Sequence, residues 1–157
     1  MRSSEKQSAG RIRVEATATS GASPATVFAL LKDGSTWPEW GIFDSFELER
    51  PGQDEPFGVG AIRVFITRVS RAREEVVELI PDRRLSYVLV SGLPFRHYRA
   101  EVDILARDGG GTSIVWRAAF DAAHFGTGWL WRRFMARVLA TLATRLASAA
   151  ERQTKTS

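Results

Sequence analysis

The C-terminal part of the chain carries the pattern that most constrains the fold. The spacing of its apolar residues predicts one long amphipathic helix over Gly126–Glu151. Its large apolar side chains fall on one stripe: Trp131, Phe134, Met135, Val138, Leu139, Leu142 and Leu146. A row of small residues beside the stripe lets another surface approach closely: Ala136, Ala140, Ala143 and Ala147. Polar residues such as Arg133, Arg137 and Ser148 fall opposite. A stripe this broad needs a broad surface to cover, which predicts a sheet upstream.

Composition limits the classes of protein to consider. A chain of 157 residues with 44% hydrophobic and 25% charged residues is typical of one soluble globular domain. The absence of cysteine excludes disulfides, thiolate metal sites and cysteine nucleophiles, and we expect a cytoplasmic protein. The net charge of +4 comes mainly from arginines scattered among acids, which indicates a solvated surface and no nucleic-acid partner.

The ends of the chain are polar. Residues 1–10 predict a disordered arm without a signal peptide, and residues 152–157 predict a frayed tail. A single domain is expected over residues 11–151. No apolar run approaches the roughly 20 residues that a membrane-spanning helix needs.

Alternating apolar and polar residues predict seven strands: Arg11–Ser20, Ser45–Arg50, Ala61–Val69, Ala72–Ile80, Leu85–Ser91, His97–Ala106 and Thr112–Asp121. After the first strand, Ser23-Pro24 is typical of a helix start and Gly34 is placed to end that helix. Trp37–Trp40 predicts a second short helix or turn. Short turns between the last six strands predict an antiparallel sheet whose concave face the long helix covers.

Four stretches, with the last helix, resemble the START/Bet v 1-like (SRPBCC) helix-grip superfamily, in particular its polyketide cyclase/dehydrase-like branch. They are Ser23–Trp40, Arg73–Tyr87, Ser91–Asp103 and Gly110–Asp121. The resemblance covers residues 11–151 and implies an α+β fold. In that fold a seven-stranded antiparallel sheet wraps around a long C-terminal helix, two short helices follow the first strand, and a cavity lies between sheet and helix. The superfamily includes lipid carriers, hormone and allergen binders, quinone binders and aromatase/cyclases, so the fold alone does not select a function.

Strand alternation and the helix stripe predict which side chains line that cavity. The candidates are Trp37, Trp40, Phe43, Phe65, Tyr87, Leu89, Tyr98, Val102, Trp116, Phe120, Trp131, Phe134, Met135 and Val138. The residues by themselves are equally compatible with a plain hydrophobic core, and the resemblance favours a cavity lining. The first three are expected to close one end. Tyr87, Tyr98 and Trp116 carry polar atoms that need partners when buried.

Two pairs of residues raise the question of charge inside the cavity. Glu74 and Glu75 are adjacent in a strand and point to opposite faces, so one of them can face inward. We apply the same argument to Arg63 and Phe65 and expect only one of these to face inward. An inward carboxylate would have its pKa raised and could act as an acid, and Glu75 or a tyrosine is the suggested acid or base. An inward arginine would suit an anionic ligand. The competing interpretation is an ion pair with Arg63 or Arg73, and the sequence leaves the register open.

Other candidate sites are weaker. His97 and His124 have the side chain of a general base, but their positions favour exposed surface histidines, and their spacing does not suit a metal site. The chain has no G-x-S-x-G motif, phosphate-binding loop or dinucleotide fingerprint. We therefore assign no catalytic residue, no metal and no cofactor.

The segment Trp129–Arg133 places aromatic residues beside arginines, a combination found at membrane interfaces. The favoured interpretation is a helix start that packs over the cavity mouth with its arginines in water. Any membrane contact would then be peripheral.

The leading hypothesis is a protein that binds or carries a small hydrophobic molecule: a lipid, a quinone or a polyketide-like compound. The alternative is a polyketide cyclase/aromatase-like enzyme that acts on a ligand in the same cavity, where proximity supplies much of the catalysis. A third is an interaction or stress-response module with a vestigial cavity. Convergent ionisable groups in the cavity would favour the enzyme, and an apolar lining would favour the binder. The sequence leaves open whether the protein forms a homodimer.

Overall fold

A computed structural model of the chain describes residues 11–156. The predicted arm over residues 1–10, like Ser157, lies outside the described residues. The elements in chain order are β1 (Ile12–Ser20), α1 (Pro24–Lys32), a 3-10 turn (Gly34–Thr36), α2 (Trp37–Trp40), β2 (Ser45–Arg50), β3 (Ile62–Ile66), β4 (Arg71–Ile80), β5 (Arg84–Ser91), β6 (Phe95–Ala106), β7 (Thr112–Ala122) and α3 (Gly128–Thr156).

The seven strands form one antiparallel sheet in the order β1-β7-β6-β5-β4-β3-β2. Strands β2 to β7 lie side by side in chain order, and β1 pairs with the far side of β7. The first two strands therefore lie at opposite edges, and the segment that joins them carries α1 and α2. Helix α3 makes its main contacts with β1, β7 and α1. This arrangement confirms the predicted α+β helix-grip fold.

The short helices begin as the sequence predicts, but Gly34 has a different role. The Ser23 hydroxyl accepts a hydrogen bond from the Thr26 amide at 3.2 Å, which caps α1 ahead of its first-turn proline. Helix α1 ends at Lys32, before Gly34. A Cβ at Gly34 would lie 2.5 Å from a ring carbon of Phe46. The glycine is therefore required by the close approach of an aromatic ring.

Strand β3 is shorter than the predicted Ala61–Val69. It ends at Ile66 because Thr67 and Ser70 close a tight turn, with the Thr67 amide donating to the Ser70 carbonyl at 2.9 Å. Val69 at the tip of this turn is almost fully exposed. The other strands lie close to their predicted positions, and the inner faces of β6 and β7 alternate as expected.

Helix α3 continues past the predicted end at Glu151 to Thr156, so the prediction of a frayed tail is wrong for residues 152–156. No glycine or proline follows Glu151, and the arginine, glutamine and lysine there are good helix formers. The stripe is buried only along part of its length, at Met135, Leu139, Leu142 and Leu146. The first turns are covered less, and Phe134 is 53% exposed. Within residues 11–156, no helix has both the length and the hydropathy needed to cross a bilayer.

Candidate functional site

Each of the strands from β3 to β7 contributes one polar side chain to the concave face. We call this set the polar cluster; its members are Arg63, Glu74, Tyr87, Tyr98 and Trp116, and all are buried. The hairpin register places Arg63 opposite Glu74. The Arg63 guanidinium carbon lies 5.7 Å from the centre of the Tyr87 ring, and the rings of Tyr87 and Tyr98 are 6.4 Å apart. The Trp116 indole donates a hydrogen bond to the Tyr87 hydroxyl at 3.2 Å.

The register corrects one expectation and decides one alternative that the sequence left open. Arg63 and Phe65 both face inward and both are fully buried, so the prediction that only one would do so is wrong. Residues two apart in a strand share a face, and the argument for adjacent residues did not apply. Glu74 faces inward, whereas Glu75, the suggested inward acid, faces outward and accepts a hydrogen bond from Arg50 at 3.0 Å.

Arg63 is held by a helix end and by aromatic rings. Its Nη1 donates to the carbonyl of Leu31 at 3.3 Å, at the C-terminus of α1, where the helix dipole favours a cation. Its guanidinium lies over Trp37 at 4.9 Å and over Phe65 at 5.1 Å from the ring centres. Its Nε and Nη2 have no hydrogen-bond partner among the described residues. Two nitrogen atoms of the buried guanidinium can therefore still donate hydrogen bonds to another group.

Glu74 is the natural partner but does not close on Arg63. Its Oε2 lies 3.9 Å from Arg63 Nη2, beyond hydrogen-bond distance, and has no other hydrogen-bond partner in residues 11–156. Burial raises the pKa of Glu74 to about 7, although the Arg63 charge opposes the rise. Burial likewise lowers the pKa of Arg63, with the Glu74 charge opposing. An oxygen within hydrogen-bond distance of both atoms would bridge this separation.

The two tyrosines serve as neutral hydrogen-bonding groups. Burial raises the pKa of Tyr87 well above its ordinary value, and the neighbouring Tyr98 and Glu74 raise it further. Burial also raises the pKa of Tyr98, with a contribution from the Glu74 charge. Both phenols therefore stay protonated near neutral pH. The Tyr87 oxygen accepts from the Trp116 indole, and its own O–H can still donate a hydrogen bond.

The predicted lining residues fall into three groups. Those that are buried are Trp37, Trp40, Phe65, Tyr87, Tyr98, Val102, Trp116, Phe120 and Met135. Those that are half-buried and pack against the core are Phe43, Leu89, Trp131 and Val138. Phe134 is exposed and meets Trp131 edge-on at 5.8 Å. Most of the predicted lining is therefore buried, and five of its residues are half-buried or exposed.

The sealed end contains the tryptophans after α1. Trp37 stacks on Phe65 at 4.5 Å and meets Trp116 edge-on at 5.6 Å, while Phe43 lies 4.9 Å from Phe65. At the other end, Phe95 contacts Phe120 at 4.4 Å and Trp131 at 5.2 Å. The half-buried Leu89, Trp131 and Val138 mark where sheet and helix leave the interior least covered.

The sequence offered an ion pair with Arg63 or Arg73 as the competing interpretation but left the register open, although a signal that places Glu74 opposite Arg63 exists. Thr67 and Ser70 bracket the β3–β4 turn, and counting back from that turn pairs Arg63 with Glu74. A prediction of the turn at Thr67–Ser70 would have fixed the register.

The histidines lie away from the polar cluster. His97 is exposed, has a positive φ of 54° at a β-bulge, and its Nδ1 lies 2.9 Å from Asp121 Oδ2. His124 is exposed in the loop before α3. In the part of the chain that the structure describes, no three histidine or acidic side chains are arranged to hold a metal ion.

Comparison with known proteins places this architecture in a family. The model of the family described as polyketide cyclase / dehydrase and lipid transport matches residues 11–151. The chain belongs to that family. No curated protein sequence matches it significantly.

Solved structures agree with the family's fold. A START superfamily protein from Mycobacterium smegmatis is 14% identical, with a TM-score of 0.79 over 90% of this chain and 99% of that one. The Zhui aromatase/cyclase from Streptomyces sp. R1128 is 18% identical, with a TM-score of 0.72 over 92% and 96%. A protein from Nitrosospira multiformis is 15% identical, with a TM-score of 0.71 over 91% and 99%. At these identities the similarity establishes a shared START-like fold.

Proposed function

We propose that the protein binds a small, largely apolar molecule between the concave face of the sheet and α3, with an oxygen-bearing group of the ligand at Arg63 and Glu74. One observation carries the proposal: Nε and Nη2 of Arg63 and Oε2 of Glu74 are buried without hydrogen-bond partners. Leaving a buried polar group unpaired costs about 1–3 kcal/mol, and more when the group is charged. A ligand oxygen between the two side chains would remove that cost.

The two side chains also limit the ligand's chemistry. Arg63 offers donors, and an ionised Glu74 accepts. A hydroxyl, phenol or enol can accept from the first and donate to the second, whereas a hydrocarbon can do neither. Because the opposite charges of the pair offset each other, a neutral ligand is favoured over a strongly ionic one. The aromatic lining suits a flat or elongated apolar body, such as that of a lipid, quinone or polyketide-like compound.

Entry is proposed where the interior is least covered. Leu89 of β5 and Val138 of α3 are half-buried, and Phe134 is exposed one turn earlier on the helix. Since α3 lies mainly on β1 and β7, a ligand would pass beside these residues toward β4 and β5. The sealed end at Trp37 would stop it next to Arg63.

A matched pair of ligands tests the polar anchor. We expect the protein to bind 2-naphthol about tenfold or more tighter than naphthalene, since a hydrogen bond to a charged group contributes about 1.5–3 kcal/mol. The double variant Arg63→Met/Glu74→Leu should lose the difference and keep the weaker binding. The outer-face variant Arg73→Met is the control and should keep both affinities. Equal binding of the two compounds, or none, would refute the proposal.

Mass spectrometry gives an independent test without a chosen ligand. The freshly purified protein is sprayed first under native and then under denaturing conditions. We expect an adduct of a small oxygenated hydrophobic molecule that is present in the first spectrum and absent from the second. The adduct should be reduced in the double variant. An adduct of a hydrocarbon without oxygen would contradict the proposed anchor.

A second candidate function is that of an aromatase/cyclase-like enzyme. It is favoured by the convergence of ionisable groups inside the fold. Glu74, with a pKa of about 7, can take up or release a proton near neutral pH. Arg63 can stabilise negative charge that develops on an enolate oxygen beside it. The polar cluster therefore contains a proton-transfer group and a cation whose nearest atoms are 3.9 Å apart.

Proton exchange tests this second function directly. We expect the protein to accelerate exchange of the α-protons of 2-tetralone for deuterium, followed by NMR at pH 7. Glu74→Gln should abolish the acceleration while keeping 2-naphthol binding, and Arg73→Gln should leave it unchanged. Exchange at the background rate with the wild-type protein would support binding without catalysis.

A further inference from the structure

The loop before α3 and the first turns of that helix expose a patch of large apolar side chains. Phe125 is fully exposed, Trp129 is 64% exposed, Leu130 50% and Phe134 53%. We call these four residues the apolar patch. Other exposed large apolar residues, such as Val69 and Leu105, are scattered over the sheet and its turns. Four adjacent large apolar side chains in water indicate a surface that contacts something else.

The patch lies within a strongly basic segment. From Ala122 to Ala150 the sequence contains no aspartate or glutamate but four arginines: Arg132, Arg133, Arg137 and Arg145. Arg145 donates to the Gly41 carbonyl. The other three are exposed and take part in no ion pair within residues 11–156. Many arginines of the strands, in contrast, pair with a carboxylate.

Helix geometry brings charge and apolar surface together. At 100° per residue, Arg133 and Arg137 project between Trp129 and Phe134, on the side opposite the buried Met135 and Leu139. Beside this face, a cleft of about 930 Å³ is lined by Arg132, His124, Phe125 and Trp129 among others. Cationic donors thus flank aromatic side chains on both sides of the patch.

We propose that this surface docks the protein on an anionic lipid bilayer. The apolar patch enters the boundary between headgroups and acyl chains, while Arg132, Arg133 and Arg137 contact lipid phosphates. Charge argues against a second copy of the chain as the occupant, because that would bring two acid-free clusters of arginines together. The inference goes beyond the proposed ligand binding, since Phe125, Trp129 and Leu130 belong neither to the polar cluster nor to the proposed entry.

Vesicle sedimentation tests the proposal with the full chain. We expect binding to vesicles of phosphatidylcholine with phosphatidylglycerol, weaker binding to phosphatidylcholine alone, and release at high salt. Among the five tryptophans, Trp37, Trp40 and Trp116 are buried and Trp129 is the most exposed. Its fluorescence should therefore shift to shorter wavelength on binding.

Matched variants separate the two contributions. Phe125→Ser/Trp129→Ser should weaken binding to anionic vesicles about tenfold or more. Arg132→Gln/Arg133→Gln should weaken it and flatten its salt dependence. The controls Val69→Ser and Arg107→Gln remove an exposed apolar and an exposed basic residue elsewhere, and should bind like the wild type.

Three outcomes would overturn the proposal. The first is no binding of the wild type to anionic vesicles, and the second is an equal loss in the control variants. The third is a concentration-dependent dimer that Trp129→Ser abolishes, which would assign the surface to a second copy. Because these variants leave the polar cluster intact, 2-naphthol binding should be unchanged in all of them. Failure of membrane docking is therefore distinguishable from failure of ligand binding.

Discussion

Two arginine–glutamate pairs lie on opposite faces of the same sheet and differ in almost every property. On the outer face, Arg73 donates to both oxygens of Glu49 at 2.9 and 2.6 Å. On the inner face, Arg63 and Glu74 are buried and remain 3.9 Å apart. The hydrogen bond from Arg73 lowers the pKa of Glu49, whereas burial raises the pKa of Glu74. Arg73 and Glu74 are neighbours in β4, so one step along a strand separates the two environments.

The two pairs differ in what they can contribute to stability. Exposed pairs contribute little to stability, because water solvates both partners nearly as well when they are apart. A buried pair carries a desolvation cost that close contact can offset, and apolar residues of similar volume are often at least as stabilising. The inner pair lacks that close contact. The inner pair therefore gains little stability from its own contact, and this is the basis for the proposal that a ligand completes it.

The largest effect should come from removing one inner partner. We expect Glu74→Leu to lower the free energy of unfolding by about 3–5 kcal/mol, because Arg63 is then buried with neither a counter-charge nor the polar neighbour that a protonated Glu74 still provides. Arg63→Met should cost less, since Glu74 can take up a proton and become neutral. The double variant should recover most of the loss. Urea unfolding at pH 7 measures all three, and equal, additive losses would show that the two side chains do not interact.

The pH dependence of stability should reveal the same residue. The pKa of Glu74 is raised from its ordinary value of 4.5 to about 7 in the folded protein. The folded state then holds the proton more tightly than the unfolded chain, so the contribution of Glu74 to stability is fully present below pH 4.5 and is lost as the pH rises to about 7. At about 1.4 kcal/mol per pKa unit, the contribution of Glu74 to this fall is about 3 kcal/mol.

Glu74→Gln serves as the reference for that prediction. Its carboxamide does not titrate, so its free energy of unfolding should lack the decline between pH 5 and pH 7. Glu49→Gln should retain the wild-type decline, because Glu49 lies on the outer face. If wild-type protein and Glu74→Gln showed the same pH profile, the carboxyl of Glu74 would not be the group that burial perturbs.

Local patterns predicted most of the fold, because each depends on residues close in sequence. Alternation located the strands, and Ser23-Pro24 located the start of α1. The helical period identified the stripe of α3 but carried no information on where the sheet beneath it stops. Phe134 therefore shares the helical spacing of the stripe but is exposed on the surface.

The site depended on information that is not local. Whether Arg63 meets Glu74 is decided by the pairing of β3 with β4, which the turn at Thr67–Ser70 sets. Whether either residue finds a close partner depends on α1 and on Trp37, which hold the guanidinium away from the carboxylate. The alternation of each strand could be predicted from the sequence, but a contact among four elements could not.

A smaller effect is expected within the polar cluster. Tyr87→Phe removes the acceptor of the Trp116 indole and leaves a buried N–H unpaired, so we expect a loss of about 1–3 kcal/mol. Tyr98→Phe leaves that bond in place and should cost less. Urea unfolding gives the free energies, and the indole proton of Trp116 should move upfield in the NMR spectrum of Tyr87→Phe alone. A larger loss in Tyr98→Phe would make Tyr98 the more important hydrogen-bonding group.

The smallest effect should come from the outer pair. Glu49→Gln should leave the urea midpoint unchanged within error, in low and in high salt, because water replaces Arg73 at an exposed carboxylate. A clear loss would change the comparison, since Glu47 on the same edge strand is also bound to β4, through Arg71 at 2.7 Å. The outer pairs would then fasten β2 to the sheet. Because β2 carries Phe46, which lies 5.4 Å from Phe65, such a loss should also weaken 2-naphthol binding. An unchanged midpoint with unchanged binding would leave the inner pair as the one whose charges matter to the interior.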